Sequence, residues 1–202
     1  MRIAVYGASG MVGSRIAAEA VARGHQVTGI SRGGTSTVDG VTARAGDASD
    51  PGLAAEVAGE HDAVVSALGP SRTEPDEGRF LRTIQNLVDS LGDARLVVVG
   101  GAGSLEVDGV RLVDLPDFPA AYKPESLASA DVLEYLRGLP DGPDWTYVSP
   151  APEIGPGERT GSYRVALETP AGDRISAEDY AVAILDEIEN PQHRRVRFTV
   201  AS

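Results

Sequence analysis

The stretch 5-VYGASGMVG-13 decides the fold. It grows out of an apolar run, Ile3-Ala4-Val5-Tyr6, that reads as a short buried strand. It leads into Met11 to Arg23, where Val12, Ile16, Ala20 and Val21 fall near one face of a helix that Gly24 ends. Three glycines at a spacing of three stand at this junction. Gly7 suits the tight turn, Gly10 lets the backbone approach a pyrophosphate, and Gly13 lets helix and strand pack closely. The helix start offers free N–H groups and a partial positive charge to that phosphate. Ser9 adds a hydroxyl donor. A plain strand–helix turn needs only one glycine, so the spacing favours a phosphate cradle.

The same alternation continues along the chain. Strands are expected at Gln26 to Ser31, Val41 to Ala45, Asp62 to Ala67, Arg95 to Val99, Trp145 to Ser149 and Arg195 to Val200. Helices are expected from Asp50 with Pro51 in its first turn, from Phe80 to Leu91, from Ser126 to Leu139, and from Ser176 to Asn190. "LVVV" (96–99) is apolar on both faces, as in the middle of a parallel sheet. The expected architecture is α/β: a doubly wound Rossmann fold with a mostly parallel sheet of about seven strands in a single domain over 1–202. Loops 101–122 and 150–172 follow two strands at their carboxyl ends, where such sheets bind ligands. Both are read as flexible segments able to close over a pocket.

The 202 residues suffice for one well-filled domain. The absence of cysteine rules out disulfide and thiolate chemistry and is compatible with the cytoplasm. The N-terminus lacks a signal-peptide layout, and no apolar run reaches the ~20 residues that span a bilayer. A net charge of −12 repels phosphate backbones, so nucleic acid is not expected as a partner, and the charge itself reads as serving solubility. The expected partner is a small-molecule substrate, with no membrane.

The second strand ends in "GISRGG" (29–34). An NAD site usually places an acid there for the ribose hydroxyls. Here stand Ser31 and Arg32, and a guanidinium suits a 2′-phosphate. NADP(H) is therefore expected as cofactor ahead of NAD(H), the alternative being a solvated arginine. Asp47 in "AGDASD" (45–50) suits either an acceptor for an adenine amino group or turn chemistry. The small residues of "SALGP" (66–70) suit either a wall close to a nucleotide or a strand-end turn.

These segments, with "LVVVGGAGSL" (96–105), "WTYVSPAPEIGPGERTGSYR" (145–164) and "ISAEDYAVAILDEIENPQHRRVRFTVA" (175–201), stand in the order seen in atypical short-chain dehydrogenase/reductase-like proteins. The branch the chain resembles is that of NmrA-like NAD(P)-binding proteins and biliverdin-IX-beta and flavin reductases. The resemblance covers nearly the whole chain and implies a Rossmann fold binding NADP(H). It implies that Gly7, Ser9, Gly10, Met11 and Val12 touch the pyrophosphate and that Arg32 takes the 2′-phosphate. Asp47 and Ala48 would border the adenine. Ala67, Leu68 and Gly69 would line the ribose, and backbone at Pro150 and Ala151 would face the nicotinamide.

Most of that superfamily uses Tyr-x-x-x-Lys, in which the lysine lowers the tyrosine pKa. The only lysine is Lys123, and the residue four before it is Pro119, so the pair exists nowhere in this chain. Ser104 matches the site serine of the reductase branch and is a candidate to polarise an acceptor, or else a turn residue. In the loop, Tyr122 and Lys123 are candidates to meet ribose or an anionic substrate, or are solvated. Glu153 stands where the biliverdin and flavin reductases resemble each other in carrying a histidine. A carboxylate there relays a proton if burial raises its pKa, and is otherwise a surface group. His25, His61 and His193 make no metal spacing, and Arg194, Arg195 and Arg197 read as a solvated sheet edge.

Two functions fit. One is an NADPH-dependent reductase of a flavin-, quinone- or bilin-like molecule, because a conjugated acceptor can take its proton from solvent. The other is a non-catalytic NADP(H)-binding sensor acting through a protein partner. An epimerase or dehydratase fits poorly without the tyrosine–lysine pair.

Overall fold

The computed structural model describes residues 1–71, 76 and 78–202. The strands are β1 (Arg2–Tyr6), β2 (Gln26–Ser31), β3 (Val41–Ala45), β4 (Ala63–Ser66), β5 (Arg95–Val99), β6 (Glu106–Val107), β7 (Val110–Arg111), β8 (Trp145–Pro150), β9 (Glu153–Gly155), β10 (Arg164–Ala166), β11 (Arg174–Ser176) and β12 (Arg197–Ala201). The α-helices are α1 (Met11–Ala22), α2 (Pro51–Glu60), α3 (Arg79–Asp89), α4 (Lys123–Arg137) and α5 (Ala177–Glu189). Eight strands form the main sheet in the order β10-β12-β8-β5-β4-β1-β2-β3. Seven run parallel, and β10 pairs antiparallel with β12. The strand order reverses between β1 and β4, the switch point where a doubly wound sheet opens its crevice.

Alternation along β1 explains the two cores. Ile3 and Val5 face α1 and α5, packing with Ile16, Ala20, Ile184 and Phe198. Ala4 and Tyr6 face the other helices, with Ile84, Leu87, Leu136 and Tyr147. With both faces covered, the central strands carry Val, Ile and Ala at successive positions.

Local chemistry sets several helix starts. Asp50 caps α2, its Oδ1 accepting from the N–H groups of Gly52 (2.9 Å) and Leu53 (3.2 Å), with Pro51 in the first turn. Ser176 caps α5 by accepting from the Asp179 N–H at 2.9 Å. By contrast, α1 starts at Gly10 with no side-chain cap, which leaves its first amides for another acceptor.

The reading of Arg194 to Arg197 as a solvated edge is corrected for Arg197. Because β10 covers β12, the Arg197 side chain is 0% exposed and paired with Glu168. It also donates to Ser104 Oγ (3.3 Å) and Ser149 Oγ (3.5 Å). The loops expected to be structureless contain short strands. Residues 101–122 hold the antiparallel β6–β7 hairpin, and 150–172 hold β9, which pairs parallel with β11, and the edge strand β10. Among the described residues no helix is long and apolar enough to cross a membrane.

Candidate nucleotide and acceptor cleft

At the carboxyl ends of β1, β4, β5 and β8 lies a cleft of about 1440 Å³. Its inner wall is the start of α1, and the glycines account for that wall. Gly7 has φ +79°, and a Cβ there would lie 2.7 Å from the Ala67 carbonyl oxygen. The Gly7 N–H donates to the Ile30 carbonyl at 3.0 Å, fixing the turn on the sheet. A Cβ on Gly13 would stand 2.2 Å from the Gly7 carbonyl oxygen, so the helix docks on the turn only with hydrogen at that position. A Cβ on Gly10 would meet only that same oxygen, at 3.2 Å. Gly10 is thus dispensable for packing, and it lines the cleft at the uncapped helix start. This arrangement fits a diphosphate: open backbone, unsatisfied amides and the positive end of a helix.

The candidate residues divide into three groups. Met11, Val12, Ala67, Gly69, Pro150 and Ala151 join Gly10 in lining the cleft. Ser9, Ser31, Arg32, Asp47 and Ala48 lie outside the cleft lining, and Leu68 packs against the core on the α2–α3 side. Ser31 Oγ donates to the Thr35 carbonyl at 3.2 Å, shaping the turn that carries the exposed Arg32. Asp47 Oδ1 accepts from the N–H (2.9 Å) and hydroxyl (2.7 Å) of Ser49, which is the turn role. The backbone bond first, then the hydroxyl and the charge of Arg32, hold the Asp47 carboxyl below its usual range against some desolvation. Ala48 is buried, and its carbonyl accepts from Asn86 Nδ2 at 2.7 Å.

The catalytic candidates also separate. Tyr122 and Glu153 line the cleft, both exposed. Ser104 does not. It is 8% exposed, and its hydroxyl faces the buried Arg197 guanidinium, because the chain folds back here to start the β6–β7 hairpin. Its assignment as the acceptor-polarising serine is therefore corrected. Lys123 lies outside the cleft lining and is exposed, within electrostatic range of Asp114.

Side-chain bonds from Tyr147, Tyr180, Asp179 and Arg159 support the cleft. Tyr147 donates its phenol hydrogen to the Ser129 carbonyl (3.0 Å) and accepts the Gly101 N–H (3.0 Å), tying the segment after β5 to α4. Burial pushes this phenol up to about 12. Tyr180 donates to the Val148 carbonyl at 2.6 Å, and burial raises its phenol well above the ordinary value. Both side chains are structural and neither exchanges protons near neutrality. Asp179 is 1% exposed and accepts from the N–H groups of Thr160 and Gly161 (2.8 Å each) and from the Thr160 hydroxyl (2.7 Å). Arg159 bonds the Glu19 carboxylate at 2.7 and 2.8 Å. Residues 157–161 are thus pinned onto α1 and α5, a correction to their reading as a loop free to close.

Known proteins resemble the chain in sequence and fold. The profile of a family described as NAD(P)H-binding matches residues 7–191. YwnB of Bacillus subtilis is 40% identical, with 100% of this chain and 99% of that protein covered. A solved structure from Burkholderia pseudomallei is 44% identical over the whole of both chains, with a TM-score of 0.89. SP1627 from Streptococcus pneumoniae TIGR4, described as a "putative NADH-flavin reductase", is 36% identical over 100% of this chain and 99% of that one, with a TM-score of 0.90. The matched profile begins on the turn glycine and runs through the helix start, the cleft and α5: the chain belongs to the NAD(P)H-binding Rossmann-fold family and takes NAD(P)H as its cofactor.

Proposed function

We propose that the protein is an NADPH-dependent reductase of a conjugated small molecule of flavin-, quinone- or bilin-like type. The observation that carries this reading is an uncapped helix start opening into a cleft that holds no tyrosine–lysine pair. A carbonyl–alcohol interconversion needs a positioned acid–base group to move the hydroxyl proton, and in the superfamily the chain resembles that group is the tyrosine of such a pair. A conjugated acceptor needs no such group. When bound, the dihydronicotinamide would supply a hydride, both electrons with it, and the one proton that completes the reduction would come from water, leaving the nicotinamide oxidised.

The chain's own residues bind and orient. Amides at Met11 and Val12 hold the diphosphate, and Pro150 and Ala151 form the wall behind the nicotinamide. Arg32 takes the 2′-phosphate, which supports NADPH over NADH, although the Streptococcus pneumoniae relative is named for NADH. Tyr122 and Glu153 border the acceptor side. The lack of cysteine and the use of a reduced pyridine nucleotide support a cytoplasmic location. The net charge of −12 supports a small-molecule partner over nucleic acid or an anionic membrane.

The test is NADPH oxidation, followed by absorbance, with a panel of flavins, quinones and enones. Turnover with at least one class is expected. NADPH binding without oxidation of any acceptor would overturn the reductase reading and favour a nucleotide-gated interaction with a protein partner.

A further inference from the structure

We infer that the Ser126 hydroxyl holds the acceptor's conjugated carbonyl oxygen by a hydrogen bond while the acceptor ring lies against Tyr122. This rests on the reductase reading and gives Ser126 the role that the buried Ser104 does not fill. Tyr122, Ser126 and Ser129 stand at steps of four and three along the start of α4, so they share one face, and all three line the cleft.

Two observations single out Ser126. The first is its hydroxyl. Ser129 Oγ donates back to the Glu125 carbonyl at 3.0 Å, and Ser176 Oγ, elsewhere in the lining, donates to the Glu158 carbonyl at 2.8 Å. Ser126 is half-buried, and its Oγ makes no hydrogen bond among the described residues. The second is the room kept for it. A Cβ on Gly103 would lie 2.6 Å from the Ser126 Cβ and 2.9 Å from its Oγ, so a side chain at 103 would push the hydroxyl aside. Gly103 follows β5, and Ala151 follows β8, the strand paired with β5. The hydroxyl therefore stands at the same stretch of the sheet's rim as the wall assigned to the nicotinamide. Tyr147 fixes that placement, since its phenol bonds both the Gly101 N–H and the Ser129 carbonyl.

In a quinone or enone, hydride adds at the carbon β to a carbonyl. Its electron pair forms the new C–H bond, the conjugated π pair shifts onto the carbonyl oxygen, and water supplies one proton to complete the reduction. Ser126 donates a hydrogen bond to that oxygen and keeps its own proton. The bond strengthens as negative charge gathers there, so it acts on the barrier more than on binding. Tyr122, 57% exposed one turn earlier, offers an aromatic face to the ring.

Menadione, an uncharged naphthoquinone, is the probe. Its carbonyl band is read by infrared difference spectroscopy on the NADP+-loaded protein, beside the single-turnover rate of NADPH oxidation and the NADPH Kd. The bound band should lie below its free frequency. Ser126→Ala should return it toward the free value, weaken menadione by about 2–10-fold and slow hydride transfer by about 10–100-fold, with NADPH affinity unchanged. Ser104→Ala should leave the band where the native protein has it. An unshifted band, a band that Ser126→Ala does not move or that Ser104→Ala moves equally, a parallel loss of NADPH affinity in Ser126→Ala, or failure of menadione to bind each overturns the inference. A lowered, Ser126-dependent band without NADPH oxidation upholds it and overturns the reductase reading. Oxidation at the native rate in Ser126→Ala does the reverse.

Discussion

Alanine at Gly13 and alanine at Gly10 should have opposite consequences, although the two glycines belong to one motif. At Gly13 the new methyl would lie 2.2 Å from the Gly7 carbonyl oxygen and 2.8 Å from its carbon. The obstacle is backbone, and α1 must lift from the sheet to clear it. Overpacking typically costs about 1–3 kcal/mol, and a clash with rigid backbone belongs at the top of that range, about 3 kcal/mol. For a chain of this size that lowers Tm by about 6–12 °C. At Gly10 the methyl meets one atom at 3.2 Å, and φ is −77°, open to any residue. Its stability cost should stay within about 1 kcal/mol, the scale of an N-cap change. The methyl instead occupies the approach to the helix amides. Losing one charge-assisted bond of about 1.5–3 kcal/mol should weaken NADPH binding by about 10–100-fold. Circular dichroism melts and titration calorimetry with NADPH read the two effects separately. Native affinity in Gly10→Ala, or a native Tm in Gly13→Ala, would refute the division between a phosphate glycine and a packing glycine.

Other outcomes follow from the same geometry. Arg32→Ala should weaken NADPH by about 10–100-fold and leave NADH nearly unchanged, measured by calorimetry. Glu187 is 4% exposed and bonds Arg95 Nη2 at 2.5 Å and His193 Nδ1 at 2.8 Å. Glu187→Ala removes the nearer charge partner of the buried Arg95, leaving Asp144 at 3.8 Å, and should cost about 3 kcal/mol in urea unfolding. Glu19 is held down to about 2 by the Arg159 bond first, then by Arg23, against its own desolvation. Because its folded pKa is depressed, its contribution is complete above the ordinary glutamate pKa of about 4.3 and is lost as pH falls towards about 2. The stability gap between the native protein and Glu19→Gln should therefore close by about 3 kcal/mol over that acid range. Tyr147→Phe removes the bonds to Gly101 and Ser129 and should cost about 1–3 kcal/mol in the same urea assay.

What could be read from the sequence was whatever a local pattern determines. The β1–α1 junction, the Asp50-Pro51 start and the apolar "LVVV" strand each carry their own instruction, and β2, β3 and β5 match their expected bounds. The short strands β6, β7, β9, β10 and β11 carry none. Two or three residues hold no periodicity, and they become strands only where a distant segment offers its edge. Arg197 was misread for the same reason, since only the return of residues 164–166 puts it inside. The glycine turn and the start of α1 are marked in the sequence because backbone geometry makes them. The placing of Ser104 and Tyr122 is not, because a hairpin and a helix start that no motif marks sort them.

Strand β10 is three residues long, yet two hazards are held off by it. It pairs the outer rim of β12, and the chain just past it delivers Glu168 to Arg197. Excising residues 163–168 would therefore strip the sheet of its guard and orphan a guanidinium in the same cut. The product should be a chain that stacks rim to rim with its own copies rather than one that merely melts earlier.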